Sequence, residues 1–281
     1  MTPLCRELGI SFPVWNAGMG GGLAGVNLAA AVSNAGGLGV LGMGGLPAPA
    51  TREQIHQLRS LTQRHFGVNI IMPLMDDQQI QCCLDEKVPL LILFWGDPSP
   101  YVEKAHSVGT KIAVQAGSVD EAKAAAAAGV DAVIAQGVEA GGHVRGTTAL
   151  SILLPATVDA VRPLPVIAAG GIADARGVVA ALDLGAQAVS LGTRFLCSNE
   201  SRAAAAYKQR IVRAKAEDTY YTKLFDLEWP DAAHRVLRNK LVDEWEAAGS
   251  PPRSGEKVQG HGRAARVPSK WFAGAPSSIE V

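Results

Sequence analysis

Chemistry can reside in the run Ala135-Gln-Gly-Val-Glu-Ala-Gly-Gly-His-Val-Arg-Gly146. It follows the apolar segment Val130-Asp-Ala-Val-Ile134 and so reads as a loop leaving a buried strand, with His143 beside Gly141 and Gly142. An imidazole titrates near neutrality and can take or give a proton there. Glu139 in the same loop is an alternative acid or base, or a hydrated surface carboxylate. Pro165-Val-Ile-Ala-Ala-Gly-Gly-Ile172 and Ala188-Val-Ser-Leu-Gly-Thr-Arg-Phe195 repeat the pattern, a short β-rich segment opening into glycine. Three such exits suggest one shared site.

Gly170 and Gly171, together with Ser190, Leu191, Gly192 and Thr193, lie where the last two strand exits of a barrel often cradle a phosphate with backbone N–H donors. The alternative is two ordinary strand exits. Asn69 falls inside an apolar strand, where a buried amide needs partners that a ligand ring with donors and acceptors would supply. Met19 either lies against such a ring or fills the core. Arg194 is open between the site and a salt bridge at the rim. The histidines at 56, 65, 106, 234 and 261 fall on expected helices or in the tail and read as solvated, and Cys82-Cys83 as one buried and one half-exposed thiol.

These residues need a frame. Strands are expected at 12–17, 38–41, 66–71, 89–94, 111–115, 130–135, 166–169 and 188–191. Helices are expected at 24–35, 51–65, 77–86, 100–107, from Ser118 to before Gly129, at 151–161 and at 174–184. Thr51 with Gln54, and Ser118 with Glu121, have the spacing of capping boxes. Eight apolar strands alternating with helices argue for parallel pairing buried on both faces, and the count favours a (β/α)8 TIM barrel over a doubly wound sheet. Residues 1–198 form the expected barrel. Residues 199–281 form a C-terminal helical lid segment and tail, with helices over 199–216 and 230–248 and a β-prone run over 218–225. The tail from Gly249 is a lid or a loose arm.

Gly20-Gly-Gly-Leu-Ala-Gly25 matches G-x-G-x-x-G, but no acidic residue occurs between Glu7 and Glu53 to hold a ribose. A Rossmann dinucleotide site is therefore not expected. The 281 residues carry 26 basic and 26 acidic side chains, so no global field invites nucleic acid or an anionic membrane. The apolar stretch over 23–46 is too interrupted to span a bilayer, the N-terminus lacks a secretory pattern, and no cysteine or histidine cluster marks a metal site. A cytoplasmic protein without disulfides is the expectation.

Together these residues resemble the nitronate monooxygenase family, formerly the 2-nitropropane dioxygenases, and the related flavin-dependent enoyl-acyl-carrier-protein reductases. The resemblance spans roughly Phe12 to Phe225 and is carried best by Gln136-Gly-Val-Glu-Ala-Gly-Gly-His143, Ala168-Ala-Gly-Gly-Ile172 and Leu191-Gly-Thr-Arg-Phe195. It implies a barrel binding FMN without covalent attachment. By that likeness Ala17, Gly18 and Met19 line the flavin, Asn69 and Gln136 bond its ring or ribityl chain, and Gly141, Gly171, Gly192 and Thr193 hold the phosphate end; Gly142, Gly170, Ser190 and Leu191 complete the expected cofactor-binding set. His143 takes the position of the catalytic histidine. Gly18 stands where a proline is usual, and the C-terminal region departs from the family. The implied reaction oxidises nitronates or nitroalkanes with O2 to a carbonyl compound and nitrite. Three other readings remain: NAD(P)H-dependent enoyl-thioester reduction, a flavin-free phosphate-binding barrel lyase or isomerase, and a flavin-binding protein without turnover. The expected partners are a small-molecule substrate and O2, with no nucleic acid and no membrane, and a homodimer left open.

Overall fold

The computed structural model describes residues 1–225, 229 and 232–250. The chain divides into two compact units, the first ending at Ala203 and the second beginning at Ala204. The first unit is a barrel of eight parallel strands: β1 (Val14–Asn16), β2 (Gly39–Gly42), β3 (Phe66–Ile71), β4 (Leu90–Phe94), β5 (Lys111–Ala116), β6 (Ala132–Gln136), β8 (Val166–Ala169) and β9 (Ala188–Leu191). The two-residue β7 (Gly142–His143) lies in the loop after β6. Helices α2 (Val26–Asn34), α3 (Ala48–Leu61), α4 (Asp77–Asp85), α5 (Ser99–Ser107), α6 (Val119–Ala127), α7 (Leu150–Val161) and α8 (Ala175–Asp183) alternate with the strands. The one-turn α9 (Thr193–Leu196) follows β9, and α1 (Pro3–Glu7) precedes β1.

Hydrogen bonding runs β1-β9-β8-β6-β5-β4-β3-β2, and a parallel bridge from Trp15 to Leu38 closes the ring. That seam is short, and a side chain completes it. The wholly buried Asn16 accepts from the Val40 N–H at 2.9 Å and donates to the Val40 carbonyl at 2.8 Å, so its amide replaces a missing backbone partner.

Side chains alternate across each strand. Outward residues such as Val68, Leu91, Val133 and Val189 pack with the helices in one large core. Inward residues, among them Trp15, Val40, Ile92, Ile134 and Ile167, form a second core with Leu4, Cys5, Leu8 and Ile10 of the N-terminal segment. Thr2 donates to the Gln187 carbonyl and Gln187 Oε1 accepts from Leu4 N–H, which ties α1 to the turn entering β9. Helix α1 thus stoppers the N-terminal end of the barrel.

Several local expectations are corrected. Helix α3 begins at Ala48 after Pro47, because Pro47-Ala-Pro49 pre-sets the first turn. Thr51 is therefore not a cap but a buried side chain that accepts from Gln79 Nε2 at 3.1 Å. Ser118 does cap α6 through the Glu121 N–H, while the Glu121 carboxylate accepts from Gly117 instead. Cys82 and Cys83 are both buried, and burial pushes the Cys83 thiol well up. His65 and His106 are tied down, by the Leu8 carbonyl at 2.7 Å and by Asp131 at 2.9 Å.

The second unit is more mixed than helical. It holds α10 (Ala205–Arg213), the antiparallel pair β10 (Thr219–Thr222) and β11 (His234–Leu237), and α11 (Lys240–Ala247). The helix expected over 199–216 is shorter because Asn199 and Ser201 fall in turns, where short polar side chains compete with helical hydrogen bonding. The one expected over 230–248 starts only after Asn239, whose side chain accepts from the Val242 N–H. The residues ahead of it pair with β10, and His234 is buried there. The tail from Pro251 lies outside the described residues, and with it the choice between lid and arm.

Candidate active site

At the C-terminal ends of the strands the inward side changes character. Continuing the alternation past the apolar layers places Asn69, Gln115, Gln136 and Ser190 on the inner face of β3, β5, β6 and β9, with Ala17 just beyond β1. Asn69 is 5 % exposed and donates Nδ2 to the Ile92 carbonyl at 3.3 Å. Its Oδ1, the Ser190 hydroxyl and the Gln115 amide have no hydrogen-bond partner among the described residues. Gly18 lies directly against Asn69: a Cβ there would fall 2.2 Å from Asn69 Cβ, so a proline or any other side chain at 18 requires Asn69 to move. The departure from the resembled pattern is matched to this neighbour.

Gln136 does something the sequence did not reveal. Its Nε2 donates to the His143 carbonyl at 2.8 Å and its Oε1 accepts from the Arg145 N–H at 3.0 Å. One buried amide therefore grips the backbone on both sides of Val144, as a strand partner would. Half-buried His143 is presented by that grip. Glu139 accepts from the Leu150 N–H with both carboxylate oxygens at 3.1 Å. It caps the start of α7, where Ala149 has no side chain able to do so.

The other two exits come to the same place. A Cβ on Gly141 would lie 2.8 Å from Thr193 Oγ1, and one on Gly170 would lie 3.1 Å from Ala140 Cβ, so the β6, β8 and β9 exits touch. Gly142, Gly170 and Gly171 all have positive φ, and a Cβ on Gly142 would meet nothing within 4 Å. Gly192 faces Ala17 and Met19, at 3.7 Å from Ala17 Cβ and 4.0 Å from Met19 Sδ measured from its would-be Cβ. Met19 also packs on Ala24, Leu28 and Val32, so it serves core and mouth together. Leu191 is placed differently. Its side chain belongs to the outer core, and its carbonyl accepts from the Ala17 N–H at 2.9 Å. Beyond the β8 exit, Asp174 caps α8. A bond from the Arg176 side chain, joined by the Gly177 N–H, holds its carboxyl below the usual range. Arg194 is exposed on α9.

Sequence reading missed Gln115, Trp95 and Arg145. Gln115 was legible as a polar residue on the inward parity of an apolar strand. Trp95, just past β4, has φ +69°, a left-handed conformation rare for an aromatic residue, and nothing in its type announces that. Among the described residues no group of His, Cys, Asp and Glu could hold a metal ion, and no helix is long and apolar enough to cross a membrane.

Comparison with known proteins agrees with this arrangement. The family model described as nitronate monooxygenase matches residues 2–81 and 72–261. A probable nitronate monooxygenase of Staphylococcus aureus is 34 % identical, covering 86 % of this chain and 79 % of its own. A Mycobacterium tuberculosis protein named as a hydroxy-methyl-oxo-octahydroindene-carboxyl-CoA dehydrogenase is 36 % identical over 96 % of this chain and 73 % of its own. Among solved structures, FabK of Thermotoga maritima superposes with a TM-score of 0.83 at 39 % identity, covering 91 % of this chain and 81 % of that one. The nitroalkane oxidase of Streptomyces ansochromogenes gives 0.80 at 33 % identity, with 85 % and 80 % covered. With a glycine-lined barrel mouth, a gripped histidine loop and a family match over most of its length, the chain belongs to the nitronate monooxygenase family of oxidoreductases.

Proposed function

We propose that the protein is an FMN-dependent nitronate monooxygenase, oxidising nitronates or nitroalkanes with O2 to a carbonyl compound and nitrite. The observation that carries the reading is the Gln136 grip, which presents His143 beside three touching glycine exits. The residues fit a flavin. Asn69 Oδ1 and the Ser190 hydroxyl lack partners and would meet ring or ribityl donors, and the Gln115 amide lies on the same inner face. The main-chain N–H groups of Gly170, Gly171 and Gly192, with the exposed Thr193 hydroxyl, would hold a terminal phosphate. Ala17, Gly18 and Met19 would line a flat face. Gln136, expected to bond the ring or ribityl chain, also holds the loop, with one N–H and one lone pair of its amide.

When bound, the isoalloxazine ring supplies the electron-accepting centre of the reaction. For a neutral nitroalkane, His143 removes the proton on the carbon bearing the nitro group and keeps it on the imidazole. For a substrate that arrives as the anionic nitronate, His143 settles the charge. Replacing His143 by Asn should therefore slow turnover of nitroethane about 10²–10⁴-fold and affect preformed ethyl nitronate much less. Equal loss on both substrates would remove the base role.

The likeness to FabK and to the mycobacterial carboxyl-CoA dehydrogenase favours a second reading, reduction of an enoyl thioester by NAD(P)H with His143 near the developing enolate. Anaerobic addition of NADH to the yellow protein separates the two. Rapid bleaching supports the reductase, and bleaching only by a nitronate supports the oxygenase. A purified protein that takes up no FMN would overturn both.

A further inference from the structure

At the barrel rim, the exits of β4, β5 and β6 are joined by a cluster to which the proposed reaction gives no role. The Arg145 guanidinium lies 4.8 Å from the centre of the Trp95 ring, and its Nε donates to Glu121 Oε1 at 2.6 Å. Glu121 is itself fixed, because its other oxygen accepts from the Gly117 N–H at 2.8 Å. Trp95 is held in its left-handed conformation with the Phe94 ring edge-on at 5.2 Å. Strained backbone of this kind persists where the surroundings over-determine it, and it concentrates at functional sites. Next in the chain, Gly146 runs against Gly117 so closely that a Cβ on it would lie 2.0 Å from the Gly117 carbonyl oxygen.

We propose that Arg145 is a positioning residue for His143, acting through the Trp95 face and the Glu121 carboxylate. The proposal rests on His143 handling the proton. Gln136 grips the backbone at His143 and Arg145 through one amide, whose two bonds lie along the main chain. The Arg145 side chain adds an anchor away from the main chain, on the Trp95 ring and the Glu121 carboxylate. Magnitude separates this role from a purely structural one. The Arg145 and Glu121 side chains are 37 % and 33 % exposed, so the ion pair contributes little to stability. A misplacement of about 1 Å at a reacting group, by contrast, can cost about 10²-fold in rate.

The test uses the full-length, FMN-loaded protein and its Arg145→Ala and Arg145→Lys variants. Amide hydrogen exchange across residues 142–147 needs no substrate. It should rise about 10-fold or more in Arg145→Ala, with the flavin retained and the thermal midpoint unchanged. With nitroethane, kcat should fall by about 10²-fold while KM holds. Added guanidinium ion should restore part of the loss. Arg145→Lys should recover less than half, since an ammonium can reach Glu121 but cannot lie flat on the ring. If Arg145→Ala does not fold, Trp95→Leu removes the ring face, leaves the ion pair, and should move both readouts in the same direction. Unchanged exchange, or raised exchange with unchanged kcat, overturns the proposal. A wild-type protein inactive on nitroethane defeats the proposed substrate instead; kcat is then read on an enoyl thioester with NADH, and the same two readouts decide the role of Arg145.

Discussion

The two ends of the barrel are made by the same eight strands, yet they treat polarity in opposite ways. At the N-terminal end Leu38, Leu90 and Ile167 meet Leu4, Cys5 and Leu8 of the incoming segment, and the layer is apolar. At the C-terminal end the same inward parity carries Asn69, Gln115, Gln136 and Ser190. A buried amide without partners is penalised, so a sequence under pressure for stability alone would make both ends alike. The difference teaches that depth along a strand, more than its inward or outward face, separates what holds the barrel from what the barrel holds. Substitutions at the closed end should cost stability and spare binding, and those at the open end should do the reverse.

The sharpest break in that contrast is His143→Asn, which should remove most activity on a neutral nitroalkane and leave the urea midpoint in place. Next comes Trp15→Ala in the apolar inner core. Emptying a wholly buried indole should cost about 3–5 kcal/mol in urea unfolding, with FMN affinity of the folded protein unchanged. A loss of flavin affinity there would mean that the inner core and the mouth are coupled. Trp15→Phe sharpens the case, because the indole Nε1 has no hydrogen-bond partner. Phenylalanine leaves a smaller void and removes that unmet donor, so its cost should be less than half that of alanine. Asn69→Ala is the counterpart at the mouth. If Oδ1 serves the flavin, FMN binding measured by fluorescence quenching should weaken about 10-fold, while the flavin-free protein loses at most about 1 kcal/mol. Equal affinity in wild type and variant would take Asn69 out of the cofactor site.

How much of this was legible follows the same division. Strands β3, β8 and β9 fall within the expected bounds because each is a short β-prone, mostly apolar run, and β8 and β9 open into glycine, a signal contained in the local sequence. The glycine exits were legible for the same reason. What escaped was non-local. Asn16 reads as an ordinary strand end until its amide is seen closing the seam onto Val40, 24 positions away. Gln136 read as a ligand contact, and residue type cannot reveal that its amide also bonds the His143 carbonyl and the Arg145 N–H. β11 was taken for helix because its side chains suit either state, and pairing with β10 decided between them.

Glu139 offers the smallest and most discriminating comparison, since it shares a loop with His143 and the sequence left it open as an acid or base. Its carboxylate is engaged with the Leu150 N–H at the start of α7, a stabilising place for negative charge. Glu139→Gln keeps an acceptor oxygen and loses the charge. It should cost about 0.5–1 kcal/mol in urea unfolding, the difference between a charged and a neutral acceptor, and change kcat less than threefold. A fall in kcat beyond about 10²-fold would be the size expected of a general acid or base. Such a loss at unchanged stability would return Glu139 to the chemistry. Loss of stability without loss of rate would make it a structural cap within a catalytic loop, showing that the division between holding and reacting runs through single loops as well as between the barrel's two ends.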